Sequence, residues 1–278
     1  MQDERGIFYE PADILHDVSD RLAKSKEMAE PVDYLSFVPD GEPTLDLNIG
    51  REIALLRRLQ VRIGVITNGS LLWREDVRAD LYGADWVSLK IDSVQEEVWR
   101  RSNRPHKALR LPLILDGILV FARSFAGRLA TETMFVRGVN DDDTSVREIT
   151  NFLKEIRPQR AYLSIPSRPP AEKWVHGPEE ESLNRIYQTV ARQIPGVEFL
   201  IDYEGNSFTS TGDSMADLLN ITAVHPMRED AVRTLLSRSG TSWEVIDGLV
   251  ANGDIIRTKY DGYTFYLRRL VPGRRPVM

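Results

Sequence analysis

The chain has no cysteine among its 278 residues. That excludes disulfides, cysteine nucleophiles, thiolate zinc sites and cysteine-ligated iron–sulfur clusters built from this sequence alone. Histidine is scarce too: His16, His106, His176 and His225 stand far apart, and no two have the spacing of a metal-binding pair. Long apolar runs are missing. Nothing approaches the roughly 18–20 apolar residues that span a bilayer, and the first ten residues, MQDERGIFYE, are charged and have no apolar signal core. The expectation is a cytoplasmic protein without a membrane anchor. An excess of positive charge is also absent. Lys and Arg number 36 against 42 Asp and Glu, a net charge of −6, which favours solubility and argues against a nucleic-acid coat. No internal repeat or low-complexity segment is present. The length suits one large α/β domain with a small appendage, or two domains.

What is present is organised around residues 33–46, DYLSFVPDGEPTLD. Residues 34–38 read as a short buried strand that breaks at Pro39-Asp40-Gly41 and hands over to a helix near Asn48, one βα unit. In α/β folds the loops at the carboxyl ends of such strands hold ligands. Gly41 lets the backbone turn or approach a ligand closely. Pro43 fixes its own φ and pushes Glu42 towards an extended conformation. Glu42 then sits on a stiff turn at the ligand face, where a carboxylate suits a cationic group such as an α-ammonium. The same residues also describe an ordinary βα turn with a solvated glutamate.

The pattern repeats along the chain. Strands are expected at residues 62–66, 86–92, 129–136, 161–165 and 197–201, each followed by polar or Gly/Pro-rich residues, with helices at 11–28, 48–59, 74–81, 95–101, 108–125, 145–156 and 179–193. Strands alternating with helices imply a parallel sheet, open or curled into a barrel. In residues 86–92, Ser88, Lys90 and Asp92 alternate with Val87, Leu89 and Ile91, so one set faces inward. Lys90 and Asp92 are placed to bond a ligand or each other. Glu132 lies inside its strand and must be paired or face a polar cavity. Arg104 and His106, in a loop, and Arg137 and Arg168, just past strand ends, are candidate donors to an anionic substrate.

Residues 204–212, EGNSFTSTG, are polar and Gly/Ser-rich, and the linker is expected there, between a domain at 1–203 and one at 213–278. The second reads as three short helices, 213–224, 228–237 and 242–251, then strands 254–260 and 263–269 flanking Asp261-Gly262, a strong hairpin signal. That order is the winged-helix arrangement. Arg257, Lys259, Arg268, Arg269, Arg274 and Arg275 leave nucleic acid open as a partner. The helix at 242–251, however, carries Glu244 and Asp247 and no basic residue, a poor match to phosphates. A packing or partner-binding module is the favoured reading.

Taken together, the strand-end motifs resemble the radical S-adenosylmethionine superfamily over about residues 7–201. They are GEPTL at 41–45, ITNGSLL at 66–72, SLKIDS at 88–93, NRPH at 103–106, TETMFVRGVND at 131–141 and YLSIPSRPPAE at 162–172. The set is similar to a bacterial and archaeal branch of iron–sulfur oxidoreductases related to wyosine-forming tRNA enzymes. The resemblance implies a partial (β/α)6 TIM-like barrel lacking its first strand, followed by the small winged-helix domain. It implies S-adenosylmethionine and a 4Fe–4S cluster as cofactors, with an electron-donor protein as a partner. The activity implied is reductive cleavage of S-adenosylmethionine to a 5′-deoxyadenosyl radical that acts on a substrate the motifs do not name. Gly41, Glu42 and Pro43 would hold the methionyl ammonium. Thr67, Asn68, Ser88, Lys90 and Asp92 would line the ribose and carboxylate region, and Glu132 would also bind the cofactor. Val136 and Gly138 would lie by the adenine, and Leu163, Ser164 and Ile165 would offer backbone groups to its edge.

The departure from the family is the missing Cys-x3-Cys-x2-Cys loop, which in the family follows the first strand. A start that omits this strand and loop is the simplest expectation, and it leaves the strand at 34–38 as an exposed edge. Without thiolates the chain as given is expected to run no radical chemistry. The alternative is a regulator without a cluster, in which the barrel binds a nucleotide-like ligand and the winged helix contacts DNA or protein. A hydrolase or lyase barrel is disfavoured, because no Ser/His/Asp order or metal-ligand cluster stands at the strand ends.

Overall fold

The alternation of polar and apolar residues resolves, in the computed structural model, into one sheet with two unlike faces. The structure describes residues 4–27, 31–38, 41–200, 213–224, 226–260 and 262–269. The expected linker, Pro39, Asp40, Ile201, His225, Asp261, Arg274 and Arg275 lie outside the described residues.

Six strands form the sheet: β1 (Tyr34–Phe37), β2 (Arg62–Thr67), β3 (Trp86–Lys90), β4 (Arg128–Met134), β5 (Arg160–Ser164) and β6 (Val197–Leu200). Each pairs in parallel with the next, in chain order. Parallel strands need crossovers. These are supplied by α2 (Ile49–Leu56), α3 (Glu75–Leu81), α4 (Glu96–Asn103) with α5 (Leu111–Ser124), α6 (Asp143–Ile156) and α7 (Glu180–Ala191). A first helix, α1 (Pro11–Glu27), precedes the sheet. Among the described residues β1 pairs on one side only, so it is the edge strand the sequence implied.

Residues in register across a parallel sheet share a face. On one face Val65, Val87 and Leu129 stand side by side, then Leu89, Thr131 and Ala161, then Thr133, Leu163 and Phe199. Most are buried, and with Ile53, Leu81, Phe121, Ile149, Leu153 and Ile186 from the helices they make the core. On the other face run Ser88, Ala130 and Arg160, then Lys90, Glu132, Tyr162 and Glu198. Polar residues therefore project from the sheet on the side away from the apolar core.

Local chemistry explains the helices. Asp142 caps α6 by accepting from the amides of Thr144 and Ser145, and its bonds to Ser145 hold the carboxyl below its usual range. Pro112 lies in the first turn of α5, where a missing N–H costs nothing. Ahead of α1, Arg5 is almost wholly buried. It donates to the carbonyls of Thr44 and Asp46 and pairs with Asp76 and Asp80, while Gly6 bridges to Asp46.

The chain divides into two compact units, one of residues 1–19, 32–166 and 172–201, the other of 20–31, 167–171 and 202–278. The second unit holds α8 (Ser214–Val224), β7 (Met227–Arg228), α9 (Glu229–Arg238), α10 (Glu244–Ala251), β8 (Ile255–Tyr260) and β9 (Tyr263–Arg268). Its sheet is antiparallel in the order β7-β9-β8. Leu218, Met227, Leu235, Ile246, Ile255 and Tyr266 form its core. The two-residue β7, paired to Phe265 and Tyr266, has no sequence signal of its own.

Candidate functional site at the carboxyl ends of the strands

Beyond β1, Gly41 has φ +142°, a region open to glycine, and nothing stands within 4 Å of where its side chain would be. Glu42 follows with extended backbone (φ −133°, ψ 117°) and caps the short 3-10 turn Pro43–Leu45. Its side chain turns inward. Oε1 accepts from Thr44 N (3.1 Å), Thr44 Oγ1 (2.6 Å) and Thr67 Oγ1 (2.5 Å), and Oε2 accepts from Asn68 N (2.8 Å). Only 9% of the residue is exposed. Burial pushes the carboxyl above its ordinary range, and the bonds from Thr44, Thr67 and Asn68 pull it part of the way back. The solvated turn glutamate is thus not what the structure shows. The carboxylate sits in a cradle of neutral donors.

The next strand ends carry the polar face. Lys90 Nζ stands 3.9 Å from Glu132 Oε1, which also accepts from Ser164 Oγ at 3.0 Å. Lys90, Glu132 and Ser164 thus meet, from three adjacent strands. Ser88 is buried on the same face. Asp92 is buried, with Oδ1 accepting from Met134 N and Oδ2 from Asn103 Nδ2. Asn140 is fully buried. Its amide donates to the carbonyls of Asp92 and Met134, and its Oδ1 accepts from Val136 N. Asn103 and Asn140 fall inside NRPH and RGVND, but sequence reasoning gave neither a role. An amide with two donors and one acceptor is what a junction of frayed strand ends needs, and an Asn just past a strand end is the only available signal.

The adenine candidates are placed as follows. Val136 is buried beside the turn in which Gly138 has φ +65°, and nothing stands within 4 Å of a side chain built at Gly138. Leu163 is buried in the core, and its backbone stands in register between Thr133 of β4 and Phe199 of β6. The Ser164 carbonyl already accepts from Phe135 N. Ile165 follows at the tip of β5, half-buried.

The substrate candidates are largely engaged with protein. Arg104 pairs with Glu172 at 2.9 Å. Arg137 pairs with Glu179 at 2.9 Å and donates from Nε to the Gly177 carbonyl. His106 Nδ1 lies 3.4 Å from the Ala108 amide. Arg168 is half-buried and belongs to the second unit.

Comparison with known proteins bears on the family and the fold. The family model of the radical SAM superfamily matches residues 7–150. A UPF0026 protein of Methanocaldococcus jannaschii is 42% identical over 96% of this chain and 83% of its own length. Among solved structures, TYW1 with a lysine-pyruvate adduct bound is similar at a TM-score of 0.53 and 16% identity, over 67% of this chain and 64% of that one. Streptococcus suis SuiB bound to S-adenosylmethionine is similar at a TM-score of 0.52 and 14% identity, over 72% of this chain and 48% of that one. Both likenesses speak for the fold, and this chain spans less than two thirds of either solved protein. The superfamily uses S-adenosylmethionine and a 4Fe–4S cluster. The motif order, the six-stranded parallel sheet and the inward-turned glutamate after its first strand converge with the family match: the chain belongs to the radical SAM superfamily.

Proposed function

We propose that the carboxyl-end face of the sheet binds S-adenosylmethionine, with Glu42 receiving its ammonium. One observation carries this. Glu42 is a buried carboxylate whose hydrogen-bond partners are all neutral donors. Burying an anion is costly without a cation, and an ammonium would supply one. Lys90, Glu132 and Ser164 offer a charged row to the polar middle of the ligand. Asp92 is held rigid by Asn103 and the Met134 amide, so it orients neighbouring groups rather than reaching freely. Val136, Gly138 and the backbone of Leu163 to Ile165 border the place for the adenine. Bound with a reduced cluster, the cofactor supplies 5′-deoxyadenosyl radical chemistry in this superfamily.

The cluster itself does not fit this chain. The sequence has no cysteine, and among the described residues no group of three His, Asp or Glu could hold a metal. The 278-residue polypeptide therefore binds the cofactor without cleaving it. The test has two arms. Calorimetry with S-adenosylmethionine should show binding that Glu42→Gln weakens by about tenfold or more, the loss of a charge-assisted contact, and equal affinity for the two proteins would remove Glu42 from the site. The wild-type affinity should fall as pH drops, because Glu42 must be ionised to meet an ammonium. Incubation with iron, sulfide and a strong reductant should give no 5′-deoxyadenosine above a protein-free control.

A second reading is favoured by the same absence of thiolates beside an intact Glu42 cradle. In it the sheet binds the nucleotide as a signal. The second unit, which orders helix, strand, helix, helix and hairpin as a winged helix does, transmits it to a protein partner or to DNA. An in-frame Cys-x3-Cys-x2-Cys in the coding DNA ahead of Met1 favours the enzyme, with an electron donor and an anionic substrate. Ligand-dependent binding of the whole chain to duplex DNA favours the regulator.

A further inference from the structure

Three arginines tie down one segment. Residues 172–179 follow β5. Glu172 pairs with Arg104, the ring of Trp174 lies 5.4 Å from the Arg101 guanidinium, the His176 carbonyl accepts from Arg137 N, the Gly177 carbonyl accepts from Arg137 Nε, and Glu179 pairs with Arg137. Arg101 also donates to the Gly138 carbonyl. Arg101 lies in α4, Arg104 directly after it and Arg137 in the loop after β4, while both acids come from the one segment after β5. A single stretch of chain thus pairs with cations from the β3–β4 crossover and from the loop after β4.

The side chains of both ion pairs are between 41% and 70% exposed. Exposed pairs of this kind contribute little, and an arginine fork accepts any planar or tetrahedral oxyanion of suitable size. The strap is therefore fastened at several points, each weak, and its two charged points are carboxylates in places where a ligand oxyanion could sit. We propose that Glu172 and Glu179 stand in for the anionic group of a substrate, which Arg104 and Arg137 receive as residues 172–179 lift away. This rests on the reading of the strand ends as the ligand face and adds to it a substrate class: an organic molecule bearing a phosphate or carboxylate group. Arg104 and Arg137 become the residues that select for it.

Lys173 lies exposed in the strap, which gives a direct readout. Trypsin cuts a segment only once several residues leave their fixed conformation, so cleavage after Lys173, followed by mass spectrometry of the 278-residue chain, reports release. With inorganic phosphate at constant ionic strength the rate should rise about fivefold. Glu172→Gln/Glu179→Gln should be cleaved fast without phosphate and should bind phosphate about five- to tenfold tighter, the scale of two exposed pairs. Arg104→Ala/Arg137→Ala should also be cut fast but should not respond to phosphate. Succinate in place of phosphate identifies the oxyanion: a response to succinate alone assigns a carboxylate substrate, and a response to phosphate alone a phosphorylated one. No response to either overturns the proposal, as does a response that survives the arginine double variant or glutamine variants that bind no tighter. Calorimetry with S-adenosylmethionine on the same proteins keeps the two readings apart. Retained cofactor binding with an inert strap defeats this inference only, whereas lost binding in the wild-type chain defeats the site on which it rests.

Discussion

Glu42 and Glu52 lie ten residues apart, both are buried, and their surroundings differ in kind. Four donors converge on Glu42. Glu52, on the buried side of α2 and 3% exposed, has an Oε1 without a hydrogen-bond partner, and the Oδ2 of nearby buried Asp46 has none either. Burial, with the Asp46 charge adding to it, pushes the Glu52 carboxyl up to about 7. Arg5, which reaches the Asp46 carbonyl, is occupied with that carbonyl, the Thr44 carbonyl and the carboxylates of Asp76 and Asp80. Proximity in sequence and depth of burial therefore do not decide what a carboxyl does. Burial raises both carboxyls, but at Glu42 the bonds from Thr44, Thr67 and Asn68 work against that rise, whereas at Glu52 the Asp46 charge adds to it.

The contrast can be broken from either side. The largest effect is expected at Glu52. A folded value of about 7 against an ordinary 4.5 means that the folded protein favours the protonated form. This contribution is complete below about pH 4.5 and is lost as pH rises through 7, roughly 3 kcal/mol in all. Glu52→Gln should flatten that stretch of the stability curve, read as urea midpoints between pH 5 and 8, and an unchanged slope would show that Glu52 is ionised throughout. A smaller cost, about 2 kcal/mol, is expected for Asn140→Ala. It strips the Val136 amide and two strand-end carbonyls of their partner, turning a satisfied corner into one like that of Glu52. Urea unfolding at pH 7 measures it, and a loss under about 0.5 kcal/mol would mean that water replaces the amide. The smallest effect is expected where an orphan is removed. Thr133 is fully buried with its hydroxyl unpaired, so Thr133→Val should leave stability unchanged or raise it by up to about 1 kcal/mol. A clear loss in the same assay would reveal a partner for that hydroxyl.

Much of this was legible beforehand because strands advertise themselves by alternation. Ser88, Lys90 and Asp92 interleaved with Val87, Leu89 and Ile91 identify both a strand and its two faces, and the turn chemistry of Gly41 and Pro43 locates Glu42. Asn103 and Asn140 were not legible as clamps, since their roles depend on carbonyls and amides brought together from separate strands. Glu52 carries a signal that is easy to overlook. It stands three residues after Ile49 and four before Leu56, on the apolar stripe of α2, where a charged residue is out of place. Arg5 had no signal at all. A lone arginine in a charged N-terminal stretch looks solvated until the chain folds over it. The superfamily was readable from motif order, whereas the anionic partners of Arg104 and Arg137 required the fold.

Strand order that follows chain order has a consequence for biosynthesis. Each βα unit leaving the ribosome finds its neighbour already in place, so the sheet is able to grow from one margin by short-range docking, the kind of contact that forms fast. The hydrogen-bonded cradle of Glu42 needs only the turn after β1 and the end of β2 with its turn, so it can form before β3 to β6 are made. The fastening of residues 172–179 comes late, after the surface it covers has already taken shape.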